Sequence, residues 1–315
     1  MKYFIYVDHP LSPHFVHLTW AKSLGAVPIK IPLNPFLQRS VLMRRDIKNF
    51  NGSDVFIVES LYSIPYLYFL KRKLRPKIIS IIADTTFYPP KLPLRSVFYK
   101  LFRLNWIVDY FFTVSENIKK WAINFGIDKD RIFVVRPFSM LKIEKKEIMG
   151  KKKRRKITFI GNFTKISAAN IVISIAKELS DFEFNIIGTV SKKIKNPPKN
   201  VKCYMNISWE DLKKILLSSS IYLHPMFFDP FPVSVLDAMR CGNFPLVYRL
   251  VGLSEVLKNK NVLYSLNLEY IIEKLLNTYA ELSNKDFLRC YKFSKKYTKE
   301  KSIKTFKKIF NSIIY

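Results

Sequence analysis

The feature that most constrains the fold is a regular alternation of short apolar runs with stretches of helical pattern. The runs are rich in Ile, Val, Phe and Tyr, as expected for strands buried on both faces. The predicted strands are Tyr3–Val7, Val27–Ile31, Val55–Val58, Ile78–Ile82, Tyr110–Val114, Ile132–Val135, Lys156–Ile160, Phe184–Ile187, Val201–Tyr204, Ile221–His224 and Phe244–Tyr248. Helical connections between such strands favour parallel sheets, so the sequence predicts an α/β protein with two doubly wound, Rossmann-like halves facing a cleft.

A charged segment separates the two predicted halves. Leu141–Arg155, LKIEKKEIMGKKKRR, interrupts the alternation and holds a single Gly. We therefore expect a first domain over residues 1–141, a linker over 142–155 and a second domain over 156–298. The last segment, 299–315, spaces its apolar residues on one face of a helix.

Composition places the chain among globular proteins and predicts a cytoplasmic location. No apolar run approaches the ~20 residues of a membrane span, and Asp8 and His9 interrupt the start too early for a signal peptide. The three cysteines and four histidines form no paired motif, so neither a disulfide nor a zinc site is expected.

The net charge of +30 is large enough to influence which partners approach the protein. Nucleic acid, an anionic membrane surface and nucleotide phosphates all fit a field of that sign. The basic residues are spread over the whole length, which favours a general surface field over one binding stripe.

Two carboxylates eight positions apart, Asp229 and Asp237, mark the most informative stretch of the sequence. Pro230 and Pro232 suit a turn followed by the first position of a helix, so a helix should begin near Pro232 and end at Gly242. The free amides of such a helix end, at Val233 and Ser234, bind phosphate. Taken alone, the two acids favour a purely structural role, as an N-terminal acid that stabilises the helix and a solvated acid on the helix.

The stretch Pro225-Met226-Phe227-Phe228-Asp229-Pro230-Phe231-Pro232, followed by Asp237-Ala238-Met239-Arg240-Cys241-Gly242, resembles the donor-binding signature of retaining glycosyltransferases of family 4. The resemblance implies a GT-B fold and a metal-independent transfer of sugar from a nucleoside diphosphate to an acceptor hydroxyl. It implies that Asp229 orients the sugar and that Asp237 holds the ribose, each in place of a Glu. It also implies that the final helix crosses back to the first domain.

Further positions extend the resemblance. Gly161, Asn162 and Lys165 follow the first strand of the second domain, where the family places cations against the donor pyrophosphate. Asn162 replaces the family's Arg, which leaves Lys165 as the candidate cation. Glu255 resembles the acid of a further donor-binding loop, and Asp84 occupies a position where relatives carry a polar group facing the sugar.

Asp128-Lys129-Asp130 has the Asp-x-Asp spacing of a metal-binding motif. It sits in a predicted helix-to-strand turn, where acid pairs are common, so no metal or other cofactor is expected. An alternative function is a basic nucleic-acid-binding or DNA-modifying protein on the same fold. A predicted amphipathic helix at Leu94–Phe102 could contact an anionic bilayer or, alternatively, face the core.

Overall fold

Each predicted strand is present, to within one residue at either end, in the computed structural model, which describes residues 1–9, 12–44, 47–89, 97 and 103–315. A short strand, Val262–Leu263, comes in addition. In chain order the strands are β1 Lys2–Val7, β2 Val27–Ile31, β3 Val55–Glu59, β4 Lys77–Ile82, β5 Tyr110–Thr113, β6 Ile132–Val134, β7 Lys156–Ile160, β8 Glu183–Ile187, β9 Val201–Tyr204, β10 Ile221–His224, β11 Phe244–Tyr248 and β12 Val262–Leu263.

The strands form two parallel six-stranded sheets, as the alternation predicts. The first sheet has the order β2-β1-β3-β4-β5-β6, and the second has the order β12-β11-β10-β7-β8-β9. In the second sheet the direction of winding reverses between β7 and β10. The carboxyl ends of two such neighbouring strands border a crevice where α/β proteins bind ligands.

Helices connect most of the strands, and several begin at a side-chain cap. Ser115, Ser208 and Asn267 each accept a hydrogen bond from an amide of the helix that follows. The α-helices are Phe15–Ser23, Pro35–Arg44, Ile64–Leu74, Leu104–Ile107, Glu116–Asn124, Lys145–Met149, Ile166–Glu178, Trp209–Ser218, Val233–Arg240, Leu268–Glu281, Asn284–Ser294 and Lys299–Ile314.

The described chain divides into two compact units. The first comprises Met1–Pro137 with Glu300–Tyr315, and the second comprises Phe138–Lys299. The C-terminal helix packs within the first unit, where Phe306 stacks on Trp20 and the Trp20 indole donates a 2.9 Å hydrogen bond to Ser302. Both aromatic side chains are fully buried.

Residues 142–155 contain more structure than a linker requires. They include the helix Lys145–Met149 and the buried Lys151, whose Nζ donates to the carbonyl oxygens of Leu216 at 3.0 Å and Cys241 at 2.9 Å. Burial lowers the pKa of Lys151 to about 7. This segment is therefore packed into the second unit.

The amphipathic helix predicted at Leu94–Phe102 lies outside the described residues except for Val97. Within the described residues, every helix is too short or too polar to cross a membrane.

Candidate functional site

Two opposite charges meet where the winding of the second sheet reverses. Lys165 ends a 3₁₀ turn, Phe163–Lys165, that follows β7, and Asp229 lies in the loop after β10. Lys165 Nζ donates a 2.6 Å hydrogen bond to Asp229 Oδ2. The two side chains are 16% and 12% exposed, so the pair is sheltered from bulk water without being sealed from it. The structure thus brings together a predicted phosphate-binding cation and a predicted sugar-binding acid.

His224, the last residue of β10, is a third member of this cluster. Its ring is fully buried near the rings of Phe159 and Tyr222. Its Nε2 lies 3.3 Å from Asp229 Oδ2 without good hydrogen-bond geometry, and its Nδ1 has no hydrogen-bonding partner among the described residues. Burial, aided by Lys165, lowers the pKa of His224, so the imidazole is neutral at pH 7.

Asp229 remains ionised in this environment. Burial by itself would raise the pKa of the carboxyl group, but the charge of Lys165 and the contact with His224 hold that pKa below its ordinary value. Asp229 is therefore a buried anion whose main compensating cation is Lys165.

Two glycines allow the loops around Lys165 to approach each other at backbone distance. A Cβ atom on Gly188 would lie 2.4 Å from the carbonyl oxygen of Gly161, and Gly188 adopts a φ of +105°. Neither condition tolerates a side chain. The Asn162 side chain shapes the same turn by accepting a 3.1 Å hydrogen bond from the amide of Thr164. Gly161 and Asn162 thus position Lys165.

The helix Val233–Arg240 begins beside the cluster, as the two prolines predict. Its N-cap is Pro232, whose side chain cannot accept a hydrogen bond, so the amides of Val233 and Ser234 have no acceptor within the helix. The Ser234 hydroxyl interacts with the buried phenol of Tyr222, which also accepts a 3.2 Å hydrogen bond from the amide of Ile160. The helix end can therefore offer amide donors to an anion.

Asp237 faces the protein interior from the same helix. It is only 5% exposed, and its Oδ1 accepts hydrogen bonds from the Ser139 hydroxyl at 2.6 Å and the Met140 amide at 3.3 Å. Burial raises the pKa of Asp237 to about 6, although these hydrogen bonds oppose the shift. Its predicted contact with a ribose therefore has to coexist with an internal structural role.

The loop carrying Glu255 joins the same edge of the sheet. The amide of Gly252 donates a 2.8 Å hydrogen bond to the carbonyl oxygen of Asp229. Glu255 follows in the 3₁₀ turn Gly252–Val256 and is partly buried. This backbone contact fixes the Glu255 loop next to the loop of Asp229.

Asp84 belongs to the first unit, in the loop after β4. Its carboxylate accepts hydrogen bonds from the Ser60 hydroxyl at 2.6 Å and the Thr86 amide at 2.7 Å. Ser60 has a φ of +66°, unusual for a residue other than Gly. Two hydrogen bonds thus hold Asp84 at the carboxyl edge of the first sheet.

A buried acid beside Ser60 has no counterpart among the predicted site residues. Glu59 ends β3 and accepts hydrogen bonds from His17 Nδ1 at 2.6 Å, from the His14 amide at 2.7 Å and from the Ser12 hydroxyl. Burial would raise the pKa of Glu59, but these contacts lower it below its ordinary value. The cluster fixes the loop after β1 to the end of β3.

The site residues that the sequence did not predict differ in how far along the chain their partners lie. His224 has a local signal, since it directly precedes the Pro225 motif at the end of an apolar strand. Ser139 has none, because it meets Asp237 from 98 residues away. Within the described ranges, no three His, Cys, Asp or Glu side chains are grouped so as to hold a metal ion.

Comparison with known sequences finds a family profile that matches most of the second unit. Residues 142–284 match the profile of the family described as "Glycosyl transferases group 1". Over 110 residues the chain is 26% identical to a glycogen synthase of Aquifex aeolicus (strain VF5). That alignment spans 33% of this chain and 24% of the glycogen synthase, so the chain corresponds to about a quarter of that relative.

Solved structures match nearly the whole chain. Anabaena Alr3699/HepE in complex with UDP and glucose superposes with a TM-score of 0.76 at 12% identity, covering 99% of this chain and 100% of the other. The lipopolysaccharide outer core galactosyltransferase WaaB in its apo form gives a TM-score of 0.70 at 14% identity, covering 99% of each chain. The predicted GT-B fold is therefore confirmed, and residues 142–284 are similar to the glycosyl transferases group 1 family.

Proposed function

We propose that the protein is a glycosyltransferase of the retaining, metal-independent family 4 type that uses a nucleoside-diphosphate sugar. The observation that carries the proposal is the meeting of Lys165, Asp229 and the uncapped helix end of Val233 and Ser234 at the crevice of the second sheet. A cation and free amides suit a diphosphate, and a nearby carboxylate suits sugar hydroxyls. UDP is the favoured nucleotide, since structural neighbours contain UDP or UDP-glucose.

In the proposed reaction, the bond between the sugar C1 and the diphosphate oxygen breaks, and the acceptor oxygen forms the new bond to C1. The acceptor proton leaves with the diphosphate. Lys165 and the amides of Val233 and Ser234 stabilise the negative charge that accumulates on the departing group. Asp229 orients the sugar, and Asp237 contacts the ribose.

The remaining predicted residues have supporting roles in this proposal. Gly161 and Asn162 shape the phosphate loop, and Glu255 contributes to the donor site from its neighbouring loop. The resemblance assigns Asp84 a polar catalytic role toward the sugar. The acceptor is a hydroxyl-bearing glycan, lipid-linked sugar or similar molecule.

We expect a UDP-sugar to stabilise the protein, with or without EDTA. Differential scanning fluorimetry against UDP-, GDP- and ADP-sugars measures this, because a ligand at 100 times its Kd adds about 2.7 kcal/mol to the free energy of unfolding. Calorimetric titration and a transfer assay under the same conditions complete the test. Loss of turnover in EDTA with recovery in Mg²⁺ or Mn²⁺ would refute metal independence.

A DNA-binding titration at several salt concentrations addresses the nucleic-acid alternative in parallel. The glycosyltransferase proposal expects only weak DNA binding that salt abolishes, as a field from a net charge of +30 produces. Tight binding at physiological salt, without any response to nucleotide sugars, would favour the alternative.

We also propose that the protein is cytoplasmic and contacts an anionic membrane surface through the start of the helix Pro35–Arg44. Leu33, Phe36 and Leu37 are 47%, 74% and 50% exposed, and the basic Arg39 lies on the same helix. Apolar side chains next to basic ones suit the interface of an anionic bilayer.

The protein is accordingly expected to sediment with phosphatidylserine-containing vesicles and to come off in high salt. Phe36→Glu combined with Leu37→Glu should abolish sedimentation, because two charges replace the inserted apolar groups. Met149→Glu, at a position 61% exposed in the second unit, is the matched control. Unchanged sedimentation of the folded double variant would exclude this helix as the contact.

A further inference from the structure

The Lys165–Asp229 ion pair competes with ligand binding, because it joins two groups that are each predicted to bind the ligand. Lys165 Nζ lies 2.6 Å from the Asp229 carboxylate, at the crevice where the proposed diphosphate would bind. A diphosphate arriving there meets a lysine that is already paired. Its binding to Lys165 therefore requires the ion pair to break, which leaves the buried carboxylate without its cation.

Asp229 has little else among the described residues to compensate its charge once Lys165 turns to a phosphate. His224 is the other close polar side chain, and its Nε2 lies 3.3 Å away without good hydrogen-bond geometry. The neutral imidazole cannot replace the positive charge of the lysine. A buried carboxylate that loses its cation is strongly destabilised unless hydrogen bonds take over.

The intact donor and the spent nucleoside diphosphate differ in this respect. A nucleotide sugar carries hydroxyl groups that can donate hydrogen bonds to Asp229 while its phosphates pair with Lys165. A free nucleoside diphosphate also pairs with Lys165, but it brings no sugar hydroxyl group to donate a hydrogen bond to the Asp229 carboxylate. The same ion pair therefore weakens the binding of the product more than the binding of the substrate.

We propose, on the basis of the proposed function, that the Lys165–Asp229 pair discriminates between the sugar-bearing donor and the free nucleoside diphosphate and so promotes product release. Asp229 thereby has a specificity role besides orienting the sugar. The pair re-forms as the diphosphate leaves, which returns the site to the state described above.

The decisive test is the affinity for UDP alone, measured by calorimetric titration of wild type, Asp229→Asn, Lys165→Met and the double variant. We expect Asp229→Asn to bind UDP about tenfold more tightly than wild type, which corresponds to about 1.4 kcal/mol. For UDP-glucose the same substitution should bring no such gain, because the lost sugar contact offsets it. In the Lys165→Met background, Asp229→Asn should leave UDP affinity unchanged.

Asp286→Asn is the matched control, since Asp286 is also a largely buried acid of the second unit and pairs with Lys260 at 2.8 Å. It should leave UDP affinity at the wild-type value. Should Asp229→Asn fail to fold, Asp229→Ser serves in its place, because it also removes the charge.

Three outcomes are decisive. Unchanged or weaker UDP binding by a folded Asp229→Asn protein would overturn the inference. Tightening that persists in the Lys165→Met background would also overturn it, since plain charge repulsion would then be the cause. If wild type binds neither UDP nor any other nucleoside diphosphate, the proposed function itself fails, and that result is distinguishable from the other two.

Discussion

Lys165→Met is expected to lower the free energy of unfolding by about 3 kcal/mol and turnover by about 10²–10³-fold. The first effect follows because the substitution strips the compensating cation from the buried Asp229, and breaking a buried pair from one side costs about 3–5 kcal/mol. The second follows because removing one preorganised donor to a developing negative charge typically costs about 10²–10³ in kcat. Urea denaturation and a transfer assay measure the two effects separately.

Adding Asp229→Asn to Lys165→Met separates stability from chemistry. The double variant should regain most of the lost stability, because no unpaired charge is left buried. Turnover should stay low, because both groups proposed to act on the donor are missing. Recovery of activity together with stability would show that Lys165 contributes only to folding.

Asp237→Asn should change how stability depends on pH. In the folded protein the pKa of Asp237 is raised from 3.8 to about 6, so ionising this group is unfavourable in the native state. The contribution of Asp237 to the free energy of unfolding is fully present below pH 4 and is lost as pH rises through about 6. The difference between these two pKa values corresponds to about 3 kcal/mol of stability, at 1.36 kcal/mol per pKa unit.

The free energy of unfolding of Asp237→Asn, minus that of wild type, should therefore rise by about 3 kcal/mol between pH 4 and pH 7. Asn keeps an acceptor oxygen for Ser139 and Met140, so those hydrogen bonds do not confound the comparison. Urea titrations of both proteins across this range measure the difference. A flat difference would mean that Asp237 ionises in the folded protein as readily as in water. The same variant should bind UDP more weakly if Asp237 contacts the ribose.

The sheets were predictable because strands buried on both faces read as continuous apolar runs. Ile221–His224 and Phe244–Tyr248 have the predicted bounds for this reason. Val262–Leu263 is too short to generate such a signal. The helix Val233–Arg240 was predictable because proline and glycine mark its two ends.

The individual charges of the site were predictable, but their pairing was not. Lys165 and Asp229 are 64 residues apart, and they meet only because β10 lies beside β7 in the sheet. Strand order depends on which apolar faces pack together, and local sequence does not encode it. The same limit applies to Ser139 on Asp237 and to His17 on Glu59.

The C-terminal helix has a consequence for the order in which the protein forms during synthesis. Trp20 lies in the core of the first unit, yet the hydroxyl that accepts its indole hydrogen bond comes 282 residues later, on Ser302. The second unit, Phe138–Lys299, is continuous in sequence and is complete before that residue leaves the ribosome. A nascent chain therefore contains the whole sequence of the second unit while the first unit still exposes the surface that Phe306 and Phe310 will cover. A ribosome that stalls before residue 300 leaves that surface open to chaperones and proteases.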